Sequence, residues 1–188
     1  MTPEAIVQAL TNLFGDIVQT LAPGSYQVET AGLRLLVLLS DDQSWLRILV
    51  PIAPIQEARP FLEQLLTANF DPTRETRYAL QENVLWGVFQ HSREGLTLED
   101  LTAAIQQLIE LHQQGLNPCF TQLVEQQMRQ IIWAAKRQGQ SLEATLQNLD
   151  RFYQEGLMGD MNAGTQAKND TLAAWRYQLE RLWDQVEG

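Results

Sequence analysis

Residues Leu33–Val50, LRLLVLLSDDQSWLRILV, hold two apolar runs on either side of the polar tetrad Asp41-Asp42-Gln43-Ser44, whose side chains suit a hairpin connection. Strand side chains alternate between faces, so the register decides what each face is made of. With Asp41 opposite Ser44, Leu33, Leu35, Val37 and Leu39 share a wholly apolar face with Leu46, Ile48 and Val50. The other face then carries Arg34, Leu36, Leu38 and Ser40 opposite Trp45, Arg47 and Leu49. That second face is too apolar for water and too charged for an ordinary core. Fully burying a leucine is worth about 1.5–3 kcal/mol, so leaving such residues wet forgoes several kcal/mol. The face calls for a cover, which is a second copy of the chain, the chain's own C-terminal helices, or a client protein. Leu36, Leu38, Trp45, Arg47 and Leu49 are accordingly the candidate partner-contact residues.

Outward from this hairpin the chain alternates helix and strand signals. Thr2-Pro3-Glu4 reads as the start of a helix, with Thr2 as N-cap, and Ile6, Leu10, Leu13, Ile17 and Leu21 extend its apolar stripe to Ala22-Pro23-Gly24. Tyr26–Glu29 reads as a short strand, and Pro51 as the end of the strand that begins at Trp45. Phe61–Phe70 reads as a helix, followed by a second hairpin from Thr76–Leu80 and Val84–Gln90, in which Gly87 admits a close neighbour. Thr97 caps a helix with its buried stripe at Leu98, Leu101, Ile105, Leu108 and Ile109, stopped by Gly115. The expected fold is α+β, an antiparallel five-stranded sheet in α-β-β-β-α-β-β-α order. Residues 1–115 form this domain and residues 116–188 a helical extension. In the extension, helices follow Asn117 and Ser141, a Gly/Asn/Asp-rich stretch at 156–170 reads as a flexible linker, and a final helix starts at Thr171. That helix spaces Leu172, Trp175, Leu179, Leu182 and Val186 as a docking seam, and is too short to be stable alone.

The charge pattern excludes several functions. Thirteen Lys+Arg against 23 Asp+Glu leave a net charge of −10, a poor surface for nucleic acid. Cys119 is the sole cysteine, so no internal disulfide forms, and with His91 and His112 it is too small a set for zinc. His112 reads as a favourable partner of a helix C-terminus. No catalytic motif or phosphate-cradling loop is present, so a non-enzymatic protein without cofactor is expected. No apolar run is long enough for a bilayer, and MTPEAIVQAL lacks the basic start of a signal peptide. The expected location is the cytoplasm.

Four stretches standing in order, LRLLVLLSDDQSWLRILVP, LLTANF, YALQENVLWGVFQ and TLEDLTAAIQQLIEL, resemble the class I type III secretion chaperone family of the Tir-chaperone type and its YbjN-like relatives over residues 1–115. The resemblance implies a small, acidic, cytoplasmic homodimer without a nucleotide requirement. It also implies that an extended segment of a client protein is bound across hydrophobic grooves and an exposed sheet edge. It places Phe61, Leu65 and Leu66 at the dimer contact. The helices after residue 115 depart from the family's pattern. The competing expectation is a structural adaptor docked in a larger complex through its C-terminal helix.

Overall fold

The computed structural model describes the backbone of residues 1–154 and 165–187, and the side chains of that set outside 152–172. It divides into two compact units, Met1–Phe120 and Thr121–Gly188. The first contains strands β1 (Val18–Ala22), β2 (Ser25–Thr30), β3 (Leu33–Leu39), β4 (Trp45–Pro54), β5 (Thr76–Gln81) and β6 (Val84–Ser92). They form one antiparallel sheet in the order β1-β2-β3-β4-β6-β5. Helices α1 (Pro3–Phe14), α2 (Ile55–Ala58), α3 (Leu62–Ala68) and α4 (Leu98–Gln114) accompany it.

The β3–β4 hairpin has the register its polar residues demand, with Leu36 opposite Leu49, Val37 opposite Ile48, Leu38 opposite Arg47 and Leu39 opposite Leu46. Its apolar face is the centre of the core. Leu35, Val37, Leu46, Ile48 and Val50 are all 0% exposed and cluster with Ile6 and Leu10 of α1 and with Leu101, Ile105 and Leu108 of α4. At the turn, the Asp42 carboxylate accepts hydrogen bonds from the Ser44 backbone N–H and from the hydroxyls of Ser40 and Ser44. These bonds, led by that of Ser40, hold its pKa down at about 2. Gly87 lies where α4 meets the sheet: a Cβ there would stand 3.0 Å from Val50 Cγ2 and 3.2 Å from Leu108 Cδ2. Thr97 and Asp100 form the expected capping box at the start of α4.

Several elements differ from the sequence reading, each for a local reason. The sheet has six strands because α1 stops at Phe14, where Gly15 takes φ 66° and closes the helix with an N–H to the Thr11 carbonyl. The chain then passes through a 3-10 turn, Gly15–Ile17, into the edge strand β1, so Ile17 and Leu21 belong to no helix stripe and are 41% and 54% exposed. Pro51 does not end β4. Beyond Leu49 no pairing with β3 continues, while pairing with β6 runs on to Pro54 through a bulge, and a strand paired on one side tolerates a residue without N–H. The expected helix 61–70 is split into the 3-10 turn Arg59–Phe61 and α3. Glu82 and Asn83 both adopt left-handed backbone, φ 51° and 64°, forming a two-residue connection that leaves Gln81 paired with Val84.

The second unit holds most of α5 (Asn117–Arg137) together with α6 (Leu142–Gln154) and α7 (Thr165–Trp183). Met128, Ile132, Leu146, Leu149, Leu179 and Leu182 make its core. Glu125 receives Arg129 at 2.9 Å and Arg181 at 3.0 Å, and these hydrogen bonds, Arg129's first, lower its pKa. The stretch read as a linker lies outside the described residues over 156–164, whereas 165–170 is the first part of α7, which therefore starts six residues before Thr171. No helix among the described residues is long and apolar enough to cross a membrane.

Candidate functional site: the open face of the sheet

Opposite the core, the six strands present a second face whose members follow from the register. Gln27, Leu36, Leu49, Val88 and Arg77 stand in line across β2, β3, β4, β6 and β5. Leu38, Arg47 and Gln90 form the neighbouring line, and Trp86 stands beside Ala79. Leu36, Leu38, Trp45, Arg47 and Leu49, the residues singled out from the sequence, all lie on this face and are all half-buried.

Leu36, Arg47 and Leu49 border a shallow depression of about 340 Å3, completed by Val88, Trp86, Ala79 and Arg77. Leu38 and Trp45 stand outside it. The Arg47 guanidinium lies 5.0 Å from the centroid of the Trp45 ring, a cation–π distance. Its Nε and Nη2 donate to Gln90 Oε1 at 3.3 and 3.1 Å. Arg77 Nη2 donates to the same oxygen at 3.3 Å. Trp86 Nε1 is fixed by the Gln81 carbonyl at 3.2 Å. The sequence reading missed Arg77, Val88 and Gln90. They alternate with core residues in the second hairpin, yet only the β4–β6 pairing brings them beside Leu49.

One of the two sheet edges, that of β5, is closed at one place where an added strand would need it open. Asn69 Oδ1 accepts from the Tyr78 N–H at 2.7 Å and Asn69 Nδ2 donates to the Tyr78 carbonyl at 3.1 Å. One side chain thus occupies both polar backbone groups at the middle of edge strand β5, a recognised device against edge pairing.

The three residues expected at a dimer contact separate. Leu65 is 2% exposed and belongs to the core, so it cannot touch a second chain; Phe61 is half-buried against that core. Leu66 is 70% exposed and shares its outward direction with Leu62, while Phe70, just past the helix, is 94% exposed. In the C-terminal seam, Leu179 and Leu182 are 0% exposed and Trp175 and Val186 pack beside them. The seam is consumed by its own unit, which leaves those four residues little to offer an outside partner; the Leu172 side chain lies outside the described residues. Cys119 is buried at 4% exposure, and burial raises its thiol pKa, making it a small core residue. The His112 ring bridges the Pro51 carbonyl at 2.6 Å and the Gly32 carbonyl at 2.8 Å, so it ties the end of α4 to the sheet. Among the described residues no group of three or more His, Cys, Asp or Glu side chains could hold a metal ion.

No family model and no curated protein matches the chain. Among solved structures it is similar to a chain of the HopA1-SchA chaperone-effector complex, at 13% identity and a TM-score of 0.43, over 61% of this chain and 98% of that one. It is also similar to a chain of the ExsC-ExsE complex, at 18% identity and a TM-score of 0.46, over 58% of this chain and 90% of that one.

Proposed function

We propose that the chain is a non-enzymatic, cytoplasmic protein-binding module, a chaperone or assembly factor that holds a segment of a client protein on the open face of its sheet. One observation carries this reading. The first unit packs α1 and α4 on one face of the sheet, while Leu36, Leu38, Trp45 and Leu49 remain half-buried on the other, where Leu36 and Leu49 border a depression of about 340 Å3. Contiguous apolar surface of this kind, interrupted by arginine and tryptophan, has the composition of a protein contact. Leu36, Leu38, Trp45, Arg47 and Leu49 are the contact residues in this reading. The protein acts as a homodimer, with Leu62, Leu66 and Phe70 facing a second copy.

Two measurements test it. Light scattering on the purified protein should give twice the chain mass, falling to the chain mass in a Leu66→Glu, Phe70→Glu variant with an unchanged circular dichroism spectrum; a monomeric wild type removes the dimer. A pull-down from the native extract should retain one defined protein with the wild type and lose it with a folded Leu49→Asp variant. Equal retention by both removes the face as the binding surface.

A further inference from the structure

We infer that the open face recognises a carboxylate, the side chain of an Asp or Glu carried in the client segment between apolar neighbours, and that Arg47 and Arg77 hold it in the place now taken by Gln90 Oε1. The inference rests on the reading of this face as the client-binding surface and adds the chemistry of what it selects.

The charge distribution is the first argument. The chain as a whole carries −10, yet register places Arg34, Arg47 and Arg77 on this face with Glu29 as the carboxylate beside Arg34. The face is therefore basic on an acidic protein. Arg34 has local company, since its Nη2 donates to Gln27 Oε1 at 3.4 Å and Gln27 in turn donates to Glu29. Arg47 and Arg77 have no such onward link: none of the three arginines has a carboxylate within ion-pair distance among the described residues, and the acceptor that Arg47 and Arg77 share, Gln90 Oε1, is a neutral amide.

Geometry is the second. Two guanidiniums repel, and here they converge from different strands on one neutral amide oxygen at 3.1–3.3 Å. A carboxylate offers two oxygens and a charge to the same donors, with hydrogen bonds roughly twice as strong as those of a neutral acceptor. Each guanidinium has five N–H groups, so most of them remain for a ligand. The walls of the depression, Leu36, Leu49 and Val88, lower the local dielectric and suit the apolar neighbours of the acidic residue.

The test is the panning of a random twelve-residue peptide display library on the full-length protein, in parallel with a folded Arg47→Gln, Arg77→Gln variant. The wild type should enrich one Asp or Glu flanked by apolar residues, and the variant should keep the apolar pattern and lose the acid. In the best peptide, replacing that Glu by Gln should weaken binding to the wild type about tenfold or more at low salt and leave binding to the variant unchanged. Gln90→Glu, which supplies the carboxylate from within, should abolish the preference on its own. Enrichment of apolar peptides without an acid overturns the carboxylate inference and leaves the binding face standing. Peptides whose binding is indifferent to Leu49→Asp, or no enrichment at all, overturn both.

Discussion

The two faces of the β3–β4 hairpin are built from nearly the same residues and end in different states. Leu35 and Ile48 on one side are 0% exposed, while their chain neighbours Leu36 and Leu49 on the other are half-buried. Apolar content alone does not separate the faces. What does is the company each leucine keeps, helices on the first face and arginines, tryptophan and glutamine on the second. A strand can be apolar on both faces for two unrelated reasons: one face packs against helices, and the other, which also carries charge, is the face proposed to meet a partner.

That contrast can be broken most severely at Ile48. Ile48→Ala should lower unfolding free energy by about 2–5 kcal/mol, whereas Leu49→Ala, one residue along, should cost less than about 1 kcal/mol. Urea denaturation of the pair decides it, and equal losses would mean that both faces are equally filled. Next is Gly87→Ala, which pushes a methyl group against Val50 and Leu108 and should cost about 1–3 kcal/mol, without effect on the open face. Leu49→Ala then sharpens the comparison from the other side: its client affinity, read by titration calorimetry, should fall about tenfold or more while stability holds. The smallest effect is electrostatic. Because the folded Asp42 pKa is depressed to about 2 from 3.8, the folded state binds the proton more weakly than the unfolded chain. Its contribution to stability is present in full above about pH 4 and is lost as pH falls towards 2. Asp42→Asn should therefore flatten the acid limb of a stability–pH curve over that interval, and an unchanged limb would show that the turn is not held by this carboxylate.

The hairpin was legible because its polar residues permit one register only, a constraint that Asp41, Ser44 and the two arginines impose together. The edge strand β1 was not, because Leu13, Ile17 and Leu21 continue the spacing of Ile6 and Leu10, and nothing in that periodicity shows that Gly15 breaks it. The start of α7 was misplaced for a related reason. Asn and Asp weigh against helix only as weak local preferences, and Thr165–Asp170 is helical in spite of Asn169 and Asp170. On the open face, the residues from β3 and β4 could be found by alternation. Arg77, Val88 and Gln90 could not, since their proximity to Arg47 arises from a pairing of distant segments.

The order β1-β2-β3-β4-β6-β5 also has a kinetic side. Every neighbouring pair but one is joined by a short turn and can zip locally on the microsecond scale of hairpins. The exception is β4 with β6, where Leu49 meets Val88 across the excursion that includes α2, α3 and β5. Loop-closure entropy concentrates at that one junction, which makes it the costliest pairing of the sheet to close. The same closure assembles the depression from two hairpins, so the proposed binding surface comes into being only when that costliest pairing forms.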